Sequence, residues 1–429
     1  RNYIKAIEYF EINIEKNNFL NSWINKSNIL LENKNYEEGL KFSKKAIINY
    51  PQNVKIKGNY AIFLFNCGYK YESLKIYNEF DNEELLSVDD YINYSNILFE
   101  INDYKKALII INKLLLTQEK NLSGLILRHQ IYKTTSDYKK AEEDLLLALS
   151  TDNLNFLINK ILVEFYIDIK KYENAIPYCE LMINNQIEKK FFFNQKILCK
   201  VYLGNWKGLT VDLIKFNKNL DNNISYIKPL FLKYLNDDPL IQKKLTINYW
   251  NNRPKKNYLS KIINETSLDK KKLKIRIGYF SGDFRNHAVF QLIQDLFLNH
   301  DKSNFEIFAY SSFRKEGAPR NKIIKFVDHF FDIDTLSSEK IMNLVKSHSL
   351  DIAIDLSGYT THGSHILFEF NIAKIKINYL GFPGTMGTTK YDYILADKFI
   401  IPKNEINHYS ESVIYLPENY QPYSPINLE

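Results

Sequence analysis

Asp103-Tyr104-Lys105-Lys106-Ala107 and Asp137-Tyr138-Lys139-Lys140-Ala141 are the same five residues met twice, 34 positions apart. Lys171-Tyr172-Glu173-Asn174-Ala175 restates the pattern after another 34, and Asn35-Tyr36-Glu37-Glu38-Gly39 stands 68 before the first. Tyr69 to Ser73 fills the gap with a register good to within one residue, and Trp206 follows Tyr172 at the same spacing. Self-similarity at a fixed period decides the fold before any local propensity does, because each unit must bury its apolar face on its neighbours.

A 34-residue period is the tetratricopeptide spacing, in which every repeat is a pair of antiparallel helices. The residue types agree. A large aromatic at the turn fills the gap between paired helices, and the small residue three positions later (Gly39, Ala107, Ala141, Ala175) lets their backbones approach. Ala46 with Pro51, and Ala148 in a later repeat, suit the end of the second helix, where proline stops it. About six repeats over residues 1–218 stack into an α-solenoid with a concave groove. A second ladder runs inside the first: Asn25, Asn59 and Asn93 share the spacing, each two residues before Ser27, Ala61 or Ser95 on the first helix of its repeat. A row of side-chain amides offers donors and acceptors to an extended peptide backbone whatever its sequence. The plainer alternative is an Asn-rich chain, and Leu127 and Ile161 interrupt the row.

Bulk properties narrow the class. The 429 residues suffice for two or three domains, and 45% hydrophobic with 25% charged residues is ordinary for a globular chain. A net charge of +7, with lysines spread along the whole chain, reads as a solvated surface and predicts no nucleic-acid partner. Cys67, Cys179 and Cys199 lie in apolar helical patterns without metal spacing, which suits buried thiols in a reducing compartment. No run approaches the roughly 18 apolar residues of a membrane span, and no secretory leader is visible. The chain starts at Arg1 without an initiator Met, as expected if its N-terminus was cut, and the cytoplasm is the expected location.

From Phe216 the repeat signal fades, and residues 219–272 read as a connecting helical segment. Residues 273–429 then change period. Apolar runs at 273–280, 305–310, 351–356, 375–380 and 391–396 read as strands, with helices over 288–298 and 338–348 between some of them. That alternation predicts a parallel, doubly wound sheet, which binds ligands outside the carboxyl ends of its strands. Three loops leave strands at that edge: 281–287 (Ser-Gly-Asp-Phe-Arg-Asn-His), 357–363 (Ser-Gly-Tyr-Thr-Thr-His-Gly) and 381–387 (Gly-Phe-Pro-Gly-Thr-Met-Gly). Six of the fourteen glycines gather there, as close contact with a phosphate or sugar requires. Plainer readings stand beside each: His287 as a structural or capping histidine, Asp283 as a helix cap, Gly381–Gly384 as a tight turn. None of the loops carries a phosphate-loop or dinucleotide fingerprint. The residues alone define a helical-repeat arm on an α/β ligand-binding domain.

Gly-Tyr-Phe-Ser-Gly-Asp-Phe-Arg-Asn-His (278–287), Asp-Leu-Ser-Gly-Tyr-Thr (355–360) and Tyr-Leu-Gly-Phe-Pro-Gly-Thr-Met-Gly (379–387) resemble the O-linked N-acetylglucosamine transferases of glycosyltransferase family 41. Residues 393–397, 408–411 and 415–417 extend the likeness. The resemblance implies a GT-B enzyme of two facing Rossmann-like halves, of which 273–429 is the first. The second half, which holds most uridine-diphosphate contacts, is expected to lie beyond Glu429, so the 429 residues alone are expected to be inactive. It further implies inverting, metal-independent transfer of N-acetylglucosamine from UDP-GlcNAc to Ser or Thr of extended peptides held in the repeat groove. No cofactor besides the nucleotide sugar and no membrane partner is implied. His287 is placed near the donor sugar and acceptor hydroxyl, and Gly381, Pro383, Gly384 and Thr385 along the sugar–phosphate region. The asparagine ladder is placed in the peptide groove. Two departures stand out: Asn371–Lys374 replaces a proline-containing segment, and a family aspartate proposed as base aligns near His348. Rival expectations are an O-fucosyltransferase of the Spindly type and a non-catalytic repeat scaffold.

Overall fold

The computed structural model describes residues 3–80, 86–218, 228–253, 273–314, 316–334, 336 and 338–422. The chain divides into two compact units, Arg1–Lys189 and Lys190–Glu429.

The first unit is the helical array. A leading helix α1 (Tyr3–Asn17) is followed by the pairs α2 (Leu20–Glu32) with α3 (Tyr36–Asn49), α4 (Val54–Asn66) with α5 (Lys70–Asn78), and α6 (Val88–Glu100) with α7 (Tyr104–Thr117). The pairs α8 (Leu122–Thr134) with α9 (Tyr138–Leu149), and α10 (Phe156–Asp168) with α11 (Tyr172–Asn184), complete it. The periodic tyrosines 36, 104, 138 and 172 each open the second helix of a pair. The small residues are as tightly placed as expected. Ala107, Ala141, Ala175 and Ser73 are buried, and a β-carbon on Gly39 would lie 1.9 Å from the Phe63 ring. Paired helices are also stitched at a fixed register: Ser95 Oγ donates to Ala107 O (2.9 Å), and His129 Nδ1 meets Ala141 O (2.9 Å). Successive first helices touch, α2 with α4, α4 with α6 and α6 with α8, which makes them one continuous wall.

The turn between paired helices explains why the period is so strict. Lys34, Gly68, Asn102, Ser136 and Lys170 all have left-handed backbone (φ +57° to +95°) and stand 34 apart. After each, the next N–H reaches back to a carbonyl five residues earlier, from Asn35 N→Leu30 O to Lys171 N→Tyr166 O, at 2.8–2.9 Å. This is the Schellman closure, which satisfies helix-end carbonyls. A non-glycine residue there costs roughly 1–2 kcal/mol, which those hydrogen bonds, at about 0.5–1.5 kcal/mol each, offset. Gly204 (φ +61°) keeps the turn in register once more, but the pattern ends there. Trp206 is 71% exposed, and the next helix starts only at Leu209, so Trp206 does not serve as an interhelix aromatic.

The second unit begins with four packed helices, α12 (Lys189–Tyr202), α13 (Leu209–Lys218), α14 (Pro229–Leu235) and α15 (Pro239–Asn252), joined through Ile197, Leu209, Phe216, Leu232 and Leu245. The compact division therefore falls at Lys189/Lys190 rather than at residue 218. Nor is 219–272 merely a connection. Its α14 and α15 belong to the sheet unit, and Trp250 sits in the sheet's core beside Phe280 and Tyr391. Residues 219–227 and 254–272 lie outside the described residues. The sheet follows as β1 (Ile275–Ser281), α16 (Ala288–Leu298), β2 (Phe305–Ser311), α17 (Ala318–Phe326), β3 (His329–Asp332), α18 (Ser338–His348), β4 (Leu350–Asp355), β5 (Ala373–Asn378), β6 (Tyr393–Ala396) and β7 (Ser412–Tyr415). All pairings are parallel in the order β3-β2-β1-β4-β5-β6-β7. Alternate residues face opposite layers. Ile277, Tyr279, Ile307 and Ala309 pack under α16 and α17, while Phe280, Phe308 and Tyr310 pack with α15 and α18. The doubly wound sheet is as expected, with α17, β3 and β7 added to it. No helix among the described residues is long and apolar enough to cross a membrane.

Candidate active site

The strand order reverses between β1 and β4, and the loops after these two strands border the crevice such a switch point opens. All three glycine-rich loops converge there. Loop 281–287 meets loop 357–363 where Gly282 N–H and Ser281 Oγ face Ser357 Oγ (both 3.4 Å). A β-carbon on Gly282 would strike His362 at 2.6 Å. Loop 357–363 meets loop 381–387 just as closely. Side chains on Gly358 and Gly381 would overlap Phe382 (2.7 Å) and Leu356 O (2.2 Å), and Tyr359 OH donates to Met386 O at 2.8 Å.

Buried carboxylates and an amide set the shapes of these loops. Asp355 Oδ1 accepts the N–H groups of Ser357 and Gly358 (2.9 Å each), and Tyr391 OH donates to its Oδ2. Burial and the Asp355 charge push that phenol's pKa well above its ordinary value. Asn378 Nδ2 donates to Phe382 O (3.0 Å) and Gly384 O (3.1 Å). Glu411, 4% exposed, accepts from Met386 N–H, Ser410 N–H and the Thr385 hydroxyl, and its burial raises its pKa. The Thr385 hydroxyl also accepts from Gly387 N–H (3.1 Å) and Ser410 N–H (3.0 Å). Its side chain is thus spent inside the loop. Pro383 offers its carbonyl to Tyr409 OH (3.2 Å), and Gly381 packs on the β4 exit.

His287 stands at the first turn of α16 with its side chain 39% exposed. Its Nδ1 accepts Val289 N–H at 3.2 Å, so it caps the helix, and Asp283 Oδ2 lies 3.6 Å from the same nitrogen. Asp283 is no helix cap. It is 2% exposed and pairs with Arg285 at 2.9 Å. Arg285 lies over the Phe313 ring, on whose plane His362 also stacks at 4.1 Å. His348, by contrast, ends the helix leading into β4, at the amino edge of the sheet, with Nδ1 2.8 Å from Tyr310 OH. It takes no part in the loop cluster. In the array, Asn25 is exposed on α2 and Asn93 half-buried on α6, whereas Asn59 on α4 is buried and donates to Asn28 Oδ1 at 3.0 Å.

A doubly wound α/β domain with its ligand edge built from glycine loops, in a chain that also carries a tetratricopeptide array, is the class these observations define. Residues 253–421 match the model of Glycosyl transferase family 41. Among similar proteins is the Arabidopsis thaliana "Probable UDP-N-acetylglucosamine--peptide N-acetylglucosaminyltransferase SEC", 35% identical over 34% of this chain and 15% of its own length. A Caenorhabditis elegans UDP-N-acetylglucosamine--peptide N-acetylglucosaminyltransferase is 32% identical over 34% of this chain and 13% of its own. A SPINDLY protein of Oryza sativa subsp. japonica is 30% identical over 37% and 18%. Each match thus spans less than a fifth of the relative. Among solved structures, a mutant O-GlcNAc transferase of Thermobaculum terrenum aligns with a TM-score of 0.49 at 17% identity, covering 79% of this chain and 59% of that one.

Proposed function

We propose that this chain belongs to a protein O-glycosyltransferase that moves N-acetylglucosamine from UDP-GlcNAc to Ser or Thr of peptides held by the repeat array. The observation that carries this reading is the coincidence of the family-41 segment with three converging loops at the carboxyl edge of the sheet. The donor's sugar and phosphates lie along Gly381–Thr385, and the acceptor hydroxyl approaches His287. An alcohol must lose its proton as the glycosidic bond forms. Because Nδ1 of His287 accepts Val289 N–H, the neutral ring carries its proton on Nε2. His287 therefore donates a hydrogen bond to an acceptor or sugar oxygen, and orients it, while the proton leaves to another group. No metal is required, since the diphosphate's charge is met by cations and main-chain N–H groups. Asn25 and Asn93 offer amides to the peptide backbone from the wall of first helices, and Asn59 joins them by releasing Asn28.

The test is labelled-sugar transfer to a Ser/Thr-rich peptide by the full-length gene product, with GDP-fucose as a second donor. His287→Ala should lower kcat about a hundred-fold or more, while losing the cap on α16 should cost only about 0.5–2 kcal/mol of stability, read from the urea midpoint. Wild-type turnover at saturating donor and acceptor would make His287 structural, and transfer from GDP-fucose alone would replace the sugar assignment.

A further inference from the structure

Lys233, on α14, lies outside the family-41 segment, yet its ammonium end rests on the loop at Gly384. A β-carbon on Gly384 would lie 2.7 Å from Lys233 Cε and 2.9 Å from Nζ, so a side chain here would push the lysine's end off the loop. Nζ stands 5.5 Å from the Phe382 ring centroid and 3.4 Å from Gln242 Oε1. No carboxylate lies within ion-pair distance of it among the described residues. The side chain keeps contact with solvent, but the protein packed around the ammonium holds its pKa below the ordinary lysine range. The loop beneath is tied down by its carbonyls: Phe382 O and Gly384 O go to Asn378, Pro383 O to Tyr409. Its N–H groups are disposed otherwise. Those of Phe382, Gly384 and Thr385 donate to no acceptor among the described residues, although Met386 and Gly387 on either side of the next turn are bonded. Main-chain N–H groups left open beside an unneutralised cation form an oxyanion receptor.

We propose that Lys233 and the N–H groups of Gly384 and Thr385 together bind a phosphate oxyanion, the diphosphate of the nucleotide-sugar donor, with α14 supplying the cation. The proposal rests on the transferase reading for the identity of that anion, and on the loop's own geometry for its existence. Lysine acts on phosphate as a compact point charge.

Inorganic pyrophosphate, UDP and UDP-GlcNAc are the probes, titrated calorimetrically into the 429-residue chain. A second readout follows acetylation of Lys233 by mass spectrometry with and without pyrophosphate. Pyrophosphate should bind the chain, slow acetylation of Lys233 several-fold, and lose about ten-fold in affinity in Lys233→Gln and in Gly384→Ala. Lys325→Gln on α17 should change nothing. No binding at millimolar pyrophosphate, unaltered affinity in Lys233→Gln, or unprotected Lys233 would overturn the proposal. Protection of Lys233 by pyrophosphate, with no binding of UDP or UDP-GlcNAc by the full-length gene product, would keep this anion site and remove the transferase reading.

Discussion

The array and the sheet unit both bury apolar side chains, but over very different chain distances. In the array, partners are close in sequence: Gly39 meets Phe63, and His129 meets Ala141. In the sheet unit, Trp250 shares a core with Phe280 and Tyr391, and Lys243 Nζ binds Tyr409 O across 166 residues. Stability in a repeat array is nearly a sum of nearest-neighbour terms, so damage stays local. In the sheet unit any one loop anchor is wired to the whole core, and damage should be collective.

The largest effect is expected from Glu411→Ala. It strips the acceptor from Met386 N–H and from the buried Thr385 hydroxyl, while Ser410 N–H keeps only Thr385 Oγ1. With each orphaned group costing about 1–3 kcal/mol, the unit should lose about 3 kcal/mol or more. Hydrogen exchange in urea should show residues 273–422 opening together while the array keeps its midpoint. Simultaneous loss of both units would abolish the distinction. A smaller, confined effect is expected from Gly39→Ala, whose methyl overlaps the Phe63 ring and should cost about 1–3 kcal/mol by overpacking. Protection should fall in α3 and α4 and survive in α9 to α11. Loss spread evenly along the array would show that it is not modular.

Acid sharpens the contrast further. Burial is the first cause of lowered pKa for His129 in the array and for His300, His348, His362 and His365 in the sheet unit. Below about pH 6.5 the unfolded chain binds protons that these partly desolvated rings take up less readily, so stability falls as pH falls toward 5. With four such rings, the sheet unit should fall more steeply than the array with one. His129→Ser, which imitates Ser95 at the same register, should flatten the array's profile alone. An array profile unchanged by that substitution would mean that other groups set its acid response. The smallest effect is a gain: Lys170→Gly relieves a left-handed lysine (φ +61°) and should raise the array's stability by about 0.5–1 kcal/mol, read from its urea midpoint.

Legibility in the sequence followed the same divide. Tyr104, Tyr138 and Tyr172 announce the array because its contacts repeat, and helices 288–298 and 338–348 fall as read because their apolar stripes are strong. β3 stayed hidden because His329-Phe330-Phe331-Asp332 is a four-residue edge strand, and α17 because it opens on Ala318-Pro319 in a basic stretch. The glycine loops were legible as loops, but their supports were not. Glu411 and Asn378 look like surface residues until folding brings Thr385 and Phe382 over them. The plainer alternative for Asp283, a helix cap, fails because the ring of His287 takes that place and leaves the carboxylate to Arg285.

The left-handed turn at Lys34, Gly68, Asn102, Ser136 and Lys170 is specified by backbone hydrogen bonds rather than by residue identity. A gene can therefore gain or lose a whole 34-residue cassette by unequal recombination and keep every remaining contact in phase. A deletion of one codon within a cassette would instead misalign Gly39 with Phe63 or Ser95 with Ala107. Arm length is thus free to drift in whole steps, while the sheet unit, pinned by contacts such as Lys243 to Tyr409, tolerates no such change between its anchors. The length of the array becomes a heritable quantity that varies in whole units of one repeat.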